Sequence, residues 1–295
     1  MLSGLLVIDK PAGLSSHDVV AAARKLFHQQ RIGHGGTLDP LATGVLVLCL
    51  GQATRLSEYV MGEQKAYLAV ARLGVRTITD DMEGSILQTR PVPPVDQATL
   101  RALEHRFTGE LQQVPPQFSA IKREGQRAYT LARRGEAIEL EPRRVFIHAL
   151  QLTLLDAERV QMEVLCSAGT YIRALARDIG EALGCGAHVE SLRRTRSGAF
   201  TLDQALSLDR LRDMDDAARA ASLLPMDRAV AHWPAVQISA AQAHKLRQGQ
   251  RVTIPSPMTE GRYRVYDERE RFCAIGRIVG AYILIPEKVF DADSA

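Results

Sequence analysis

The sequence predicts an α+β fold followed by a small, mostly β unit at the C-terminal end. Segments with a two-residue apolar alternation and segments with a 3.6-residue one succeed each other without a regular strand–helix rhythm, which argues against a doubly wound sheet. From Val236 onward the elements become short and are punctuated by Gly and Pro, after an Asp-, Arg- and Ala-rich helical pattern over residues 202–221. A length of 295 residues suggests about two domains at roughly 100–200 residues each. With 46% apolar residues, the chain can build an ample core, which excludes disorder as its main state.

Residues 5–8 read as a short strand, and Lys10-Pro11-Ala12-Gly13 must turn. Ser15 or Ser16 caps a helix whose apolar face is Val19, Val20, Ala23, Leu26 and Phe27. Residues 31–44 are Gly-rich and polar, a loop. Residues 45–50 form a continuous apolar run, a strand buried on both faces. Residues 65–73 alternate, with Tyr67, Ala69 and Ala71 on one face. Asp96 opens a helix carrying Leu100, Leu103 and Phe107, and residues 145–154 and 160–166 read as strands. Thr170 starts a helix with Ile172, Leu175, Ala176, Ile179 and Leu183 inward and Gly184 past its end. In the last unit a helix over residues 239–248 precedes strands near residues 251–254, 261–266, 271–279 and 281–285.

Several function classes drop out. The four cysteines form no C-x-x-C pair, so neither a zinc site nor a disulfide framework is expected. No apolar run approaches the ~18–20 residues of a membrane span, and no secretory signal is evident, so a cytoplasmic protein is expected. With 37 basic against 34 acidic residues the net charge is only +3, so any nucleic-acid contact must come from a local basic surface.

The densest candidate for chemistry is Gly33-His34-Gly35-Gly36-Thr37-Leu38-Asp39-Pro40-Leu41-Ala42-Thr43-Gly44. Glycines let backbone approach a ligand, and Asp39 lies on a loop anchored by the following strand, a plausible catalytic placement. Spacing alone leaves open that Asp39 caps a turn and His34 is an ordinary loop residue. The loop lacks the Lys-Ser/Thr ending of a P-loop and follows a helix, not a strand, so a nucleotide-phosphate site is excluded. In Gly169-Thr170-Tyr171-Ile172-Arg173, Tyr171 and Arg173 fall in the first helical turn, off its apolar face. Taken alone they read as half-buried and solvated; an arginine close to Asp39 would instead hold that carboxylate ionised. Tyr67 is either plain core or an aromatic able to stack on a base. Lys122, Arg123, Arg127, Arg133 and Arg134, interleaved with Phe118 and Tyr129, make one basic cluster; Arg193, Arg194 and Arg196 make a second. Such clusters are usually solvated faces, but with interleaved aromatics they suit RNA.

Together these residues resemble the TruB family of tRNA pseudouridine synthases, bacterial type. The resemblance rests on Asp9-Lys10-Pro11 with Gly13 and Ser15, on the Gly33–Gly44 segment, on Tyr67 before Ala71-Arg72-Leu73-Gly74, on Pro115, Ser119-Ala120 and Lys122, and on Gly169-Thr170-Tyr171-Ile172-Arg173 with Asp178 and Gly180. Gly184-Cys185-Gly186-Ala187-His188 and Leu192-Arg193-Arg194 extend it, in family order, over about residues 5–198.

The resemblance implies isomerisation of uridine 55 in the tRNA T-loop to pseudouridine, with no cofactor and no metal. It implies an eight-stranded mixed, mainly antiparallel sheet flanked by helices over residues 1–232. An RNA-clamping thumb at about residues 114–135 and a PUA-like unit at residues 233–295 complete the expected organisation. Asp39 matches the catalytic aspartate, Arg173 its partner, and Tyr67 the residue stacked on the target base. Tyr171 and Leu192 match pocket positions, His34 the residue that enters the T-loop, and Lys10 with Pro11 the pocket floor. Lys122 and Arg123 would hold RNA. The expected partner is the tRNA T-arm, met by a monomer with no membrane and no obligatory protein partner. The alternatives are a pseudouridine synthase acting on another RNA and an RNA-binding protein that folds tRNA without modifying it.

Overall fold

The structure, a computed structural model, describes residues 1–118 and 140–291, and the backbone alone of 122–123 and 126–127. In chain order the first half contains β1 (Gly4–Lys10), α1 (Ser16–Leu26), β2 (Ile32–His34), β3 (Thr43–Leu50), α2 (Ser57–Gly62) and β4 (Lys65–Leu73). Then come β5 (Val75–Thr77), β6 (Ile86–Thr89), α3 (Gln97–Arg106), β7 (Gly109–Gln113), β8 (Lys122–Arg123) and β9 (Gln126–Arg127). The second half follows with β10 (Arg143–Leu154), β11 (Arg159–Cys166), α4 (Ile172–Ala182), β12 (Ala187–Ser197), β13 (Phe200–Thr201), α5 (Leu208–Asp213) and α6 (Asp216–Ala221). The last unit is β14 (Ala235–Gln237), α7 (Ala240–Arg247), β15 (Val252–Thr253), β16 (Gly261–Tyr266), β17 (Phe272–Val279) and β18 (Ile283–Val289).

Alternation along β1 and β3 sets the layering. Leu6, Ile8, Leu46, Leu48 and Leu50 face one core, which α1, α3 and α4 cover with Val19, Val20, Ala23, Leu100, Leu103, Leu175 and Ile179. Leu5, Val7, Val45, Val47 and Cys49 face a second core, closed by Phe200, Met226, Val230, Ile275 and Phe290. A run apolar at every position is what a strand between two cores requires. Ser15 caps α1 in a reciprocal box with Asp18, and Asp96 caps α3.

Among the described residues the main sheet has nine strands, not eight, in the order β1-β3-β12-β4-β11-β10-β7, with β2 on β3 and β13 on β12. Its pairs are antiparallel except β3–β12, which run parallel over Thr43–Arg193 and Gly44–Arg194. The sequence reading gives no strand at β12, although this strand joins the two halves of the sheet. Two register shifts, at Val189/Ser191 and Arg194/Arg196, break its two-residue alternation, and four of its eleven residues are charged. The loop expected over residues 31–44 begins with β2, because Ile32 to His34 pair with the far end of β3. The helical pattern expected over residues 202–221 is broken into a 3-10 turn and α5 and α6, each restarted by its own cap, Ser207 and Asp215.

The second sheet, ordered β14-β16-β17-β18-β15, encloses its own core of Val236, Ile238, Leu246, Val252, Val265, Ile278 and Leu284. α7 is capped by Ser239, the first residue of the expected helix. β18 runs on through Pro286, longer than expected, because Pro286 stands opposite the bulge at Ile275/Gly276, where its missing N–H breaks no regular ladder. No helix among the described residues is long and apolar enough to cross a membrane.

Candidate active site

β12 pairs with β3 only at Thr43 and Gly44, at the end of the glycine-rich segment. Buried side chains brace that segment from several sides. Arg194 donates from Nε to the Val45 carbonyl (2.7 Å), from Nη1 to Thr37 (3.2 Å) and from Nη2 to Gly36 (3.1 Å). Lys10 donates from Nζ to the carbonyls of Pro11, Leu14 and Pro40 at 2.6–3.1 Å. Ser16 Oγ accepts from Leu38 N at 2.8 Å. Ser16 Oγ also donates to the Leu38 carbonyl at 3.0 Å, so Asp39 sits between two carbonyls, of Leu38 and Pro40, each fixed by a buried side chain. Gly44 closes the segment at φ +100°, and a Cβ there would lie 2.2 Å from the Arg194 carbonyl oxygen. Gly44→Ala is expected to cost about 2–5 kcal/mol of stability, the sum of left-handed strain and forced separation of β3 from β12; urea unfolding checks this.

α4 brings the arginine. Arg173, 3% exposed, places Nε 2.9 Å from Asp39 Oδ2 and Nη1 3.3 Å from Asp81 Oδ2. It also donates from Nη1 to the Thr79 carbonyl (2.7 Å) and from Nη2 to the Phe118 carbonyl (2.9 Å). The Nε contact with Asp39 is close charge pairing; the N–H is not aligned as a hydrogen bond. Asp39 keeps a third of its side chain exposed, whereas Asp81 is almost wholly buried. One carboxylate thus faces outward and the other anchors the guanidinium. The solvated arginine suggested by Arg173's position off the apolar face is corrected: it turns inward because two acids and two carbonyls await it. α4 itself starts at Ile172, not Thr170, because Thr170 donates to the Ser167 carbonyl in the preceding turn. Gln113 holds that helix start, accepting from Tyr171 N (2.8 Å) and donating to Tyr171 O (3.1 Å).

Asp39 and Arg173 open onto a cavity of about 270 Å³ that Tyr67, Tyr171, Leu192, Lys65 and Arg194 also line. That volume lies just below the range of ~300–1,000 Å³ usual for ligand pockets, the scale of a single nucleoside. Tyr67 is opposite Arg194 across β4 and β12; burial pushes its phenol upward, against the pull of Arg194. Lys65 turns its ammonium onto the carbonyls of Val60, Met61 and Glu63, and burial lowers it to about 8.

The packing locates the remaining candidates. Lys10 is fully buried and committed to three carbonyls, so it is a strut under the loop and no contact for RNA; burial lowers its ammonium to about 8. Of the second basic cluster, Arg194 is 2% exposed and turned inward, Arg193 is paired with Asp9 at 2.7 Å, and Arg196 is half-buried. His34 does not line the cavity; it is half-buried and its Nδ1 accepts from Gly36 N at 3.4 Å. Of the expected thumb, Lys122 and Arg123 pair by backbone with Arg127 and Gln126. Their side chains, and Arg133 and Arg134, lie outside the described residues. Asp81, Thr79, Gln113 and Lys65 were not assigned roles from sequence. Lys65 stands two residues before Tyr67 and the pair Asp80-Asp81 lies in the turn between β5 and β6, but neither follows a period that marks burial.

Comparison with known proteins concerns the chain as a whole. Residues 24–172 match the profile described as TruB family pseudouridylate synthase (N terminal domain). Residues 173–231 match the tRNA pseudouridylate synthase B C-terminal domain, and residues 234–290 the Pseudouridine synthase II TruB C-terminal profile. The chain is 47% identical to tRNA pseudouridine synthase B of Burkholderia lata, over 98% of this chain and 90% of that one. It is 44% identical to the protein of the same name from Stutzerimonas stutzeri, over 94% and 92%. Among solved structures, a chain in the crystal structure of the archaeal box H/ACA sRNP Nop10-Cbf5 complex superposes with a TM-score of 0.73 at 26% identity, over 98% of this chain and 86% of that one. With buried-arginine bracing, an outward aspartate and profile matches running from residue 24 to residue 290, the chain belongs to the TruB family of pseudouridylate synthases.

Proposed function

We propose that the chain isomerises uridine 55 in the T-loop of tRNA to pseudouridine. The observation that carries this reading is the half-open Asp39 carboxylate, 2.9 Å from buried Arg173, on the wall of a nucleoside-sized cavity shared with Tyr67. A base inside a folded loop cannot reach such a cavity, so the uridine must leave its stack, at a few kcal/mol. Tyr67 then lies flat against the base, with Leu192 and Tyr171 confining it. Asp39 acts on the ribose, attacking C1′ or taking a 2′ proton. Either route breaks the N1–C1′ bond, lets the base turn and joins C5 to C1′; the C5 proton then leaves and N1 gains one. Arg173, paired with Asp39 at 2.9 Å, supplies the fixed counter-charge beside the carboxylate before it reacts and when it is released. No electron and no outside group is exchanged.

Residues 1–232 form the catalytic unit in this reading, with residues 114–135 as an RNA clamp; residues 233–295 form a PUA-like unit. In this reading His34, outside the cavity wall, follows the departing uridine into the T-loop. Replacing Lys122, Arg123 and Arg127 together by Gln weakens T-arm binding and flattens the log–log salt slope by about 2–3; titrations from 50 to 200 mM salt check this. The function itself is tested by tritium release from C5-labelled uridine in a T-arm stem-loop. Release from position 55 supports it, and an unmodified T-arm beside another modified RNA would replace it.

A further inference from the structure

α4 carries a second guanidinium whose partners the chemistry above leaves unused. Arg177 lies one turn beyond Arg173 on the same helix face. Its side chain is 15% exposed and its three nitrogens reach three separate partners. Nη1 bonds Asp80 Oδ2 at 2.9 Å, Nε bonds Asp178 Oδ1 at 2.9 Å, and Nη2 donates to the Val114 carbonyl at 2.8 Å. Arg173 repeats the pattern one turn earlier, with Asp81 and the Phe118 carbonyl. Two adjacent acids and two carbonyls, at the start and end of the segment 114–118, are thus gripped by two arginines four residues apart.

Adjacent residues of a strand point to opposite faces, so Asp80 and Asp81 could not both meet one helix in extended backbone. Asp80 stands at φ 58°, the left-handed region, which turns both acids the same way. Val189 holds that bend on β12, its N–H donating to Asp80 O and its carbonyl accepting from Met82 N. A buried ion pair is a weak source of net stability, so the expense of this arrangement points to geometry. Segment 114–118 is the first part of the stretch 114–135 assigned to RNA clamping, and a cavity of about 630 Å³, lined by Arg177, Asp80, Leu87, Val114 and Leu140, lies beside it. Without its tie the segment has room to shift.

We propose that Arg177 is a positioning residue that fixes the root of the RNA-clamping segment to the helix carrying Arg173. This rests on the reading of residues 114–135 as a clamp. The test is Arg177→Lys in the full chain, which keeps the charge but loses the planar fork that reaches three diverging partners. The Kd for T-arm RNA and the single-turnover rate at saturating RNA are measured, in the parent and in the Lys122→Gln, Arg123→Gln, Arg127→Gln background. The expected result is a Kd raised about fivefold to tenfold, with the saturated rate within about twofold. In the neutralised background the same substitution changes Kd by less than about twofold, because there is little left to position. Asp80→Asn, which keeps the shape of the partner, shifts Kd in the same direction. An unchanged Kd in Arg177→Lys, a full effect retained in the neutralised background, or a saturated rate that collapses would each overturn the proposal. Absence of C5 release in the parent protein would instead count against the proposed function, and the Kd comparison would still be readable.

Discussion

Asp39→Asn is expected to abolish tritium release from the T-arm substrate, by at least ~10³-fold at saturating RNA, while the Kd moves by less than about twofold. Asparagine keeps the shape of the side chain and removes the charge, and with it the means to attack C1′ or take a proton. The fold has no reason to suffer. Asp39 and Asp81 share one guanidinium, so loss of the outward charge leaves Arg173 balanced by the buried one. The Leu38 and Pro40 carbonyls stay held by Ser16 and Lys10, so the loop keeps its course. Unfolding within about 1 kcal/mol of the parent is therefore expected. A variant that still releases tritium at a tenth of the parent rate would remove Asp39 from the chemistry.

Arg173→Ala has the opposite signature, a loss of both rate and stability. Removing it strands Asp81 as an uncompensated charge in the interior and leaves the Thr79 and Phe118 carbonyls without that donor. Breaking a buried pair on one side costs about 3–5 kcal/mol. At roughly 2–4 °C per kcal/mol for a unit of this size, Tm falls by about 6–20 °C. Turnover falls by at least ~10²-fold, because the carboxylate loses its fixed counter-charge. Arg173→Ala combined with Asp81→Asn separates the two effects: stability is recovered in part, by about 1–3 kcal/mol, and turnover is not. Thermal unfolding and single-turnover kinetics on both proteins check this. Recovery of turnover in the double variant would make Arg173 a structural residue only.

Legibility of the fold followed the physics of each element. α1, α3, α4 and α7 were readable because a helix between solvent and core must show a 3.6-residue apolar period and a cap at its start. β3 and β11 were readable because a strand buried on one or two faces has little freedom in composition. β12 was not, since its bulges reset the alternation and its buried positions include Arg194 and His188. For such a strand the residue type is chosen by a hole in the tertiary structure, not by its own period.

The candidate site divides in the same way. Local sequence determined that the segment around Asp39 is a permissive loop before a rigid strand, and the family motifs singled out Asp39, Tyr67, Tyr171, Arg173 and Leu192, which the structure gathers around one cavity. Only the tertiary structure decided which charged groups face it. Arg194 looks like a solvent-facing cation in the sequence and is a buried brace, as is Lys10, because the carbonyls of the turn after β1 and of the glycine-rich segment need buried donors. Arg173 looks like a surface residue and is interior, because Asp81, distant in sequence, is folded against it. The chain encodes which residues are available over short distances, where periods and caps act; the sign and position of each charge depend on contacts between segments far apart, which no local pattern records.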